Sequence, residues 1–523
     1  MLRLSALRPL SLFSRSISGM SYQDAISSLN TLQSNAATLA AVASRVLQNE
    51  EALAEMNEFV TRIGLTPDDI NALNVIHVTG TKGKGSTSAF TDLILRHARP
   101  DIKVGLYTSP HLVAVRERIR INGRPLSEEE FAKYFFQVWK KLQDNPPIIP
   151  GTRLMPNYFR YLTLVAFYAF KDLKVDATIL EVGIGGGGDS TNVVSKPVVT
   201  GITALGMDHV AVLGGTIEAI ARQKAGIYKK DVPAFTVEQH DPSTDLEAIL
   251  RETAMNVKAS EFRVVKEFSA LKDIKLGLAG RHQWSNASLA VELARAFLTK
   301  KHPSLYPDPI PGDFVAGLEN TKWPGRCQTI LDPHNSETTW FLDGAHTEES
   351  LKCCIQWFAS PNVGLFDQPT GDAHRPLRVL IFNCTSGRSA EVFLRTIFNE
   401  LETQLSIFKS PEETIRFFDQ VIFCSNVTYS DGHFKGDLTS VALASAKHTG
   451  PTTQDQLKVA WSRMVKEFPS NAIHSFPSIE HAVRKVREHS ATRRTHVLVA
   501  GSLHLVGGVI EVAGLSSVAL GDL

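Results

Sequence analysis

Residues 78–87 read VTGTKGKGST and form the most informative stretch of the chain. The apolar residues 74–78 precede it and predict a short strand, and residues 86–97 predict a helix directly after it. A glycine-rich turn between a strand and a helix is the context of a phosphate-binding loop. The stretch therefore predicts the start of an α/β nucleotide-binding unit built on a mostly parallel sheet.

The composition of this loop suits an anion. Gly80, Gly83 and Gly85 allow backbone N–H groups to face a phosphate, and Lys84 can reach the terminal phosphates of a nucleotide. The match to the usual pattern is incomplete, because Gly85 stands where a serine or threonine normally binds Mg²⁺. The hydroxyl of Ser86 comes one position later. The alternative interpretation is an ordinary glycine-rich turn with a solvated lysine.

Three further predicted strands end in polar groups, at residues 103–108, 176–183 and 198–206. Ser109 follows the first, Glu181 lies near the end of the second, and His209 follows the third. Ligands of parallel sheets bind beyond the carboxyl ends of the strands, so these side chains are expected near the phosphate loop. A carboxylate at a buried strand end is costly unless it pairs or binds a cation, which makes Glu181 a candidate Mg²⁺ ligand. The alternatives are a turn serine at Ser109 and a structural histidine at His209.

A second set of apolar segments predicts a second α/β domain. The segments TTWFLDGA, RVLIFN, QVIFCSN and HVLVAGS alternate with helical patterns in the last third of the chain. The turn signals WPGR and DPHN predict a linker at about residues 323–333. We therefore expect an N-terminal domain over residues 20–325 and a smaller one over residues 326–523.

The composition excludes several classes of protein. Of 523 residues, 43% are apolar and 21% charged, which is ordinary globular usage and excludes disordered and fibrous chains. The formal net charge of +1 argues against a bulk basic surface for nucleic acid and leaves a local basic site open. The longest apolar run, residues 161–170, is too short to span a membrane and predicts a core helix. The five cysteines form no CxxC pair and are expected to be buried, reduced thiols.

Residues 1–19 differ from the rest of the chain. They read MLRLSALRPLSLFSRSISG, contain three arginines and no acidic residue, and are typical of a mitochondrial targeting segment. Met20 follows directly and can start a shorter, cytoplasmic product. The alternative is a basic tail that carries no targeting signal.

Several stretches together resemble one family. They are DAISSLNTLQSN (24–35), VTGTKGKGS, GLYTSPHLVAVRERIRING (105–123), EVGIGG (181–186), GITALGMDHVAVLGGTIEAIARQKAGI (201–227), LAGRHQWSNA (278–287), WPGR, LDGAHTEES (342–350) and GSLHLVGG (501–508). In this order they resemble the folylpolyglutamate synthases of the Mur-ligase-like superfamily. The resemblance spans nearly the whole chain after Met20.

The resemblance implies a fold and a reaction. The fold is a Mur-ligase-like P-loop ATPase domain followed by a smaller Rossmann-like α/β domain, with the active site in the cleft between them. In the reaction, ATP phosphorylates the γ-carboxylate of the terminal glutamate of a folate, and the amine of L-glutamate attacks the acyl phosphate. The implied ligands are ATP, Mg²⁺, L-glutamate and tetrahydrofolate or its polyglutamates; a monovalent cation is a further candidate, and we expect a monomer.

The resemblance also implies roles for individual residues. ATP contacts are expected from Thr81, Lys82, Gly83, Lys84, Gly85, Ser86, Asn286, Arg326, Asp343 and His346. The expected Mg²⁺ ligands are Ser109, Glu181 and His209, joined by Lys224 if that lysine is carbamylated. Lys84, His209 and Lys224 are the expected catalytic groups.

Two positions depart from bacterial relatives. Gly187 stands where many of them carry arginine, and Thr347 where they commonly carry asparagine. Thr347 and the arginine-rich start resemble the eukaryotic members and favour a folylpolyglutamate synthase over a dihydrofolate synthase, the alternative enzyme. The alternative that is not an enzyme is an inactive folate- or nucleotide-binding relative. The sequence leaves open the one-carbon form of the folate, the glutamate chain length, the oligomeric state, the carbamylation of Lys224 and the effect of Gly187.

Overall fold

The structure is a computed structural model that describes residues 19–33, 49–241, 243–301, 310–365, 375–384, 389–431, 437 and 452–521. The predicted targeting segment therefore lies outside the described residues, apart from Gly19. Within these ranges no helix is long and apolar enough to cross a membrane.

The first sheet contains eight strands in the described part of the chain. They are β1 Val75–Thr79, β2 Val104–Tyr107, β3 Ile119–Ile121, β4 Arg124–Pro125, β5 Ala177–Glu181, β6 Val199–Ile202, β7 Pro233–Val237 and β8 Glu261–Val265. Their order is β4-β3-β2-β5-β1-β6-β7-β8. The strands from β2 to β8 in this order pair in parallel, whereas the β4–β3 and β3–β2 pairs at one edge are antiparallel. The predicted mostly parallel sheet is confirmed, and its order places β2, β5, β1 and β6 side by side.

Helices cover both faces of this sheet. They are α1 Tyr22–Asn30, α2 Asn49–Arg62, α3 Pro67–Asn71, α4 Lys84–Ala98, α5 Glu128–Asp144, α6 Tyr158–Asp172, α7 Val210–Leu213, α8 Ile217–Ala225, α9 Leu246–Asn256, α10 Gln283–Lys301 and α11 Gly312–Asn320. Successive strand residues alternate between two cores: Tyr107 packs among α1, α2, α5 and α6, whereas Leu106 packs among α4, α10 and α11. This alternation is the period of two expected for a strand buried on both faces.

The second sheet contains six strands in the described residues. They are β9 Gln328–Leu331, β10 Thr338–Leu342, β11 Leu377–Phe382, β12 Gln420–Cys424, β13 Ile473–Phe476 and β14 Thr495–Ala500, in the order β13-β12-β11-β14-β10-β9. Only β9 is antiparallel to its neighbour. The residues predicted as linker thus include a strand, because residues 328–331 pair with β10 and belong to the second sheet.

The remaining helices cover the two faces of the second sheet. They are α12 Glu348–Phe358, α13 Ala390–Ile407, α14 Thr453–Met464, α15 Ile479–Ser490, α16 Leu503–Ala513 and α17 Ser516–Leu520. Short 3-10 turns occur at Val115–Arg118, Ser190–Val193, Ser269–Asp273, Thr414–Arg416 and Ser470–Ala472. Leu112 and Val113 of the first domain pack into a core of the second domain, so the two domains share a buried contact.

Candidate active site

The phosphate loop joins β1 to α4 at the carboxyl edge of the first sheet. Gly80 and Gly83 have φ angles of 148° and 90°, in the region that favours glycine. A Cβ on Gly83 would lie 2.1 Å from Oδ1 of Asn286, so the side chain of Asn286 sits directly on the loop backbone. The amides of Thr81 and Lys82 donate to the carbonyl of Ala204, at 2.9 and 3.1 Å, and fix the loop beside the end of β6.

Lys84 is the first residue of α4, and its side chain folds back over the loop. Its Nζ donates to the carbonyl oxygen of Gly80 at 3.0 Å. Loss of hydration lowers the pKa of Lys84, whereas the negative charge of Glu181 acts to raise it. The Nζ of Lys84 is therefore held close to the loop, at the place of a phosphate-binding lysine. Ser86 is buried behind it, and its Oγ accepts a hydrogen bond from Nε2 of Gln283 at 3.4 Å.

Glu181 is the last residue of β5. Its exposed fraction is 4%, and its Oε2 accepts the backbone N–H of Ser109 at 3.0 Å. Burial raises the pKa of Glu181, and the positive charge of Lys84, the Ser109 N–H and Arg326 act against that rise. Its Oε1 lies 3.8 Å from the place of a Cβ on Gly85, so the carboxylate faces the loop. The structure thus brings Glu181 and Ser109 together, as the strand ends predict.

His209 lies beyond β6, with a left-handed φ of 51° at the start of α7, and its ring is exposed. Its neighbour Asp208 forms an ion pair with Lys82, with 3.0 Å between Oδ2 and Nζ. Loss of hydration acts to raise the pKa of Asp208, but the charges of Lys82 and His209 outweigh it and hold the pKa below its ordinary value. Sequence reasoning assigned no role to Asp208, although it stands in the MDH stretch that follows a strand.

Lys224 comes from α8 and also reaches the loop. Its exposed fraction is 3%, and its Nζ donates to the carbonyl oxygen of Gly80 at 2.7 Å. Burial, followed by the positive charge of Lys84, lowers the pKa of Lys224 to about 7. A large share of this lysine is therefore uncharged near neutral pH. Two lysines thus share one carbonyl acceptor beside the loop.

The residues after the first sheet approach this edge from the second domain. Arg326 is half-buried and opposes the burial-driven pKa rise of Glu181. The two carboxylate oxygens of Asp343 accept backbone hydrogen bonds, from the N–H of Cys327 at 2.7 Å and from the N–H of Ala345 at 2.8 Å. His346 is half-buried, and its Nδ1 lies 2.8 Å from the carbonyl oxygen of Gly344. Asp343 therefore ties the end of β10 to the segment that carries Arg326.

The surroundings of Gly187 explain why this chain has glycine where many bacterial relatives carry arginine. A Cβ on Gly187 would lie 2.6 Å from Nδ2 of Asn49, the first residue of α2, and 3.7 Å from Oε1 of Gln223. The space beside Gly187 is thus filled by the side chain of Asn49. The amide of Gly187 donates to the carbonyl of Gln223 at 2.8 Å, which joins the glycine-rich turn to α8 and to Lys224.

One interdomain contact had no signal in the sequence. Asp437 has an exposed fraction of 5%, and its Oδ1 accepts from the hydroxyl of Tyr22 at 2.9 Å and from the N–H of Val115 at 3.2 Å. Nε2 of His111 lies 2.6 Å from the carbonyl oxygen of Asp437. A residue of the second domain thereby joins α1 to the segment that follows Ser109.

The donor set at this edge fits Mg²⁺. Within the described ranges no three His, Cys, Asp or Glu side chains cluster as a complete metal cage. Mg²⁺ does not require one, because it is usually held by one or two carboxylates, waters and substrate phosphates. Glu181 supplies a buried carboxylate facing the loop, Ser109 follows the adjacent strand β2, and His209 lies seven residues beyond β6, which β1 separates from β5.

The fold and this edge define a class of protein. A phosphate loop on a parallel sheet, followed by a second α/β domain, is the arrangement of the Mur ligases, and residues 78–294 match the family model described as "Mur ligase middle domain". Solved structures share the fold. They include folylpolyglutamate synthase of Mycobacterium tuberculosis with ADP and AMPPCP (22% identical, TM-score 0.64, covering 88% of this chain and 95% of that chain) and Escherichia coli FolC with ADP (23%, TM-score 0.64, 96% and 99%).

Similar sequences identify the family within this class of ligases. The folylpolyglutamate synthase of Saccharomyces cerevisiae (strain FostersO) is 40% identical over 509 residues, covering 94% of this chain and 87% of its own. That of Candida albicans is 40% identical over 512 residues, covering 94% and 96%. The chain belongs to the folylpolyglutamate synthase family.

Proposed function

We infer that this protein is an ATP-dependent ligase that adds L-glutamate to folates. The observation that carries this is the convergence of Lys84, Glu181 and Lys224 on the phosphate loop, in a chain whose relatives over 94% of its length are folylpolyglutamate synthases. A charged loop of this kind suits ATP, and an intact set of charged residues argues against an inactive binding relative.

The reaction proceeds through an acyl phosphate. A carboxylate is a poor electrophile, so the γ-carboxylate of the terminal glutamate takes the γ-phosphoryl group of ATP, which releases ADP. The amine of the incoming L-glutamate then attacks the carbonyl carbon, the amide bond forms, and phosphate leaves with loss of a proton from nitrogen. The cationic side chains of Lys84, Lys82 and Arg326 stabilise the negative charge in transfer. Asn286 orients the loop through its contact with Gly83.

Glu181 would hold Mg²⁺, with Ser109 and His209 as the other protein ligands. When bound, Mg²⁺ neutralises the charge of the phosphates and aligns them for transfer. Glu181 fits this role because it is buried, carries negative charge and faces the loop where the usual hydroxyl is missing. A monovalent cation is a further candidate at this edge.

Lys224 is the candidate for carbamylation. A neutral amine attacks CO₂, a new N–C bond forms and one proton is lost, and the pKa of Lys224, lowered to about 7 by burial and by Lys84, supplies that neutral amine near neutral pH. The carbamate would provide anionic oxygens for a second Mg²⁺.

The substrates meet between the domains. Arg326 and Asp343 lie at the junction, and Asp437 ties the second domain to α1, so a change in the domain arrangement would reshape the site. We propose tetrahydrofolate or its polyglutamates as the acceptor and a monomeric enzyme. We propose a mitochondrial form that begins at Met1 and a cytoplasmic form that begins at Met20.

One assay tests the activity and separates the alternatives. The protein is given ATP, Mg²⁺ and radiolabelled L-glutamate, with tetrahydrofolate in one arm and dihydropteroate in the other. Incorporation with tetrahydrofolate supports the proposal. Incorporation with dihydropteroate alone would identify a dihydrofolate synthase, and no incorporation in either arm, with folded protein, would favour an inactive binding relative.

A further inference from the structure

The indole of Trp323 lies on the first turn of the phosphate-loop helix α4. A Cβ on Gly85 would be 3.0 Å from Nε1 and 3.6 Å from Cε2 of this indole. Any side chain at position 85 would therefore press against the ring. The contact gives a physical reason for glycine after Lys84: the space that a serine or threonine would fill belongs to a tryptophan that lies 238 positions later in the chain.

The indole N–H lies at a place where phosphate loops normally have a polar group. In the usual loop, the residue after the lysine turns its hydroxyl toward the Mg²⁺ that accompanies the phosphates. Here Nε1 of Trp323 is the nearest atom to the start of that side chain, and Oε1 of Glu181 is within 3.8 Å of the same point. Since an indole N–H is a donor only, it can bind an anionic oxygen but cannot bind a metal.

The surroundings hold the ring and leave the N–H available. The guanidinium of Arg120 lies 5.2 Å from the ring centroid, and the ring packs against the core that contains α4 and α10. Arg120 is itself fixed by its hydrogen bonds to the carbonyls of Glu117, at 3.0 Å, and Gly123, at 3.2 Å. No acceptor within the described part of the chain receives the indole N–H.

We propose that Trp323 binds the nucleotide, with its indole N–H donating a hydrogen bond to an anionic phosphate oxygen beyond the α-phosphate. The contact links the phosphate loop to the start of the second domain, because Arg326 follows three positions later. Trp323 thus supplies a phosphate contact at the place of the missing hydroxyl, and metal binding is left to Glu181. This inference rests on the ATP site of the proposed function.

The test uses Trp323→Phe, which keeps an aromatic ring and removes the N–H. Binding of ADP and of AMP, each with Mg²⁺, is measured by calorimetry. We expect ADP to bind about tenfold or more weakly to the variant, because a hydrogen bond to a charged group is lost. AMP lacks the oxygens in question, so its affinity should change less than about twofold. A purely structural role for the ring would weaken both nucleotides alike.

A second variant tests the shared space. Gly85→Ala pushes the indole away without changing it, so this variant should weaken ADP binding about as much as Trp323→Phe. The double variant should be no weaker than either single one, since both remove the same contact. Additive losses would contradict the inference.

Fluorescence provides a second readout of the same contact, in the unaltered protein and in two variants. Adding ADP to the unaltered protein should change the emission of Trp323. Trp284→Phe is the matched control. Trp284 packs against the same core but is the second residue of α10. The change should persist in the Trp284 variant and disappear in the Trp323 variant. If it disappears only with the loss of Trp284, the inference is wrong.

The two levels of the proposal fail differently. If the unaltered protein binds ADP and Trp323→Phe binds it equally well, the inference is overturned and the ATP site stands. If the unaltered protein binds neither ADP nor ATP, the proposed function falls, and the inference falls with it.

Discussion

Replacing Lys84 with methionine should abolish ligation and leave the fold intact. Methionine keeps most of the volume of the lysine side chain and removes its charge. Within the described residues that charge makes one hydrogen bond to protein, at 3.0 Å from the Gly80 carbonyl, and it stands close to the amine of Lys224. Its main use is therefore expected when phosphate is bound and transferred.

The magnitudes follow from this setting. Removing a preorganised charge from a phosphoryl-transfer site costs about 3–4 kcal/mol of transition-state stabilisation, or a loss of about 10²–10³ in turnover. Stability should change by about 1 kcal/mol or less, because the side chain is half-buried and crosses no packed core.

The pH dependence of stability has a definite sign. Burial lowers the pKa of Lys84 below its ordinary value of 10.5, so the unfolded chain holds its proton to higher pH than the folded protein does. The burial of this charge therefore weakens the fold below the folded-state pKa, and the penalty fades as pH rises toward 10.5. The methionine variant should lack this contribution to the pH profile.

Lys229→Met is the matched control. Lys229 is also a half-buried lysine whose pKa burial lowers, to about 8, but its Nζ contacts the carbonyl of Asn192, at 3.4 Å, and not the phosphate loop. Thermal unfolding and turnover are measured for both variants. Lys229→Met should retain turnover. Turnover of Lys84→Met within threefold of the unaltered protein would refute the phosphate-loop assignment.

Three other expectations can be checked directly. Glu181→Gln keeps the shape of a buried side chain and removes its charge, so a Mg²⁺ titration at saturating ATP should shift to higher concentrations; an unchanged Mg²⁺ curve beside a large loss of folate affinity would move Glu181 from metal to substrate. Lys224→Arg cannot form a carbamate and should lose turnover. Removing CO₂ and bicarbonate should lower the turnover of the unaltered protein, and this loss should grow as pH rises through about 7, where the amine becomes neutral. Intact mass spectra that never show added CO₂, with turnover independent of bicarbonate, would count against carbamylation. Met20→Ala in a C-terminally tagged chain should remove the cytoplasmic pool and keep the mitochondrial one; a cytoplasmic pool of unchanged size would exclude Met20 as a second start.

The local parts of the site were predictable because they follow from the chain's own pattern. The apolar run before residue 79, the glycines after it and the helix beginning at Lys84 are neighbours in sequence, so the loop needs no distant partner to be recognised. Ser109 and Glu181 were also predictable, since parallel strands present their carboxyl ends at one edge. The resemblance to a known family added Lys224, which no local pattern singles out.

Other contacts depend on which distant segments pack together. Asp208 pairs with Lys82 across the gap between two strand ends, and Asn49 fills the space beside Gly187. Neither contact has a sequence signature, because short polar residues such as these are common in surface turns. The strand at residues 328–331 was hidden by turn signals, since its pairing with β10 is what makes it a strand.

The sequence by itself determined the two α/β domains, the phosphate loop and the family, because each follows from local patterns of apolar residues, glycines and charges. The tertiary structure alone decided what surrounds those residues. It placed Trp323 on Gly85, joined Tyr22 to Asp437, which lies 415 positions away, and buried Lys224 deeply enough to bring its pKa to about 7. Hydration and the field of nearby charges depend on neighbours in space, and those neighbours are fixed only when the chain has folded.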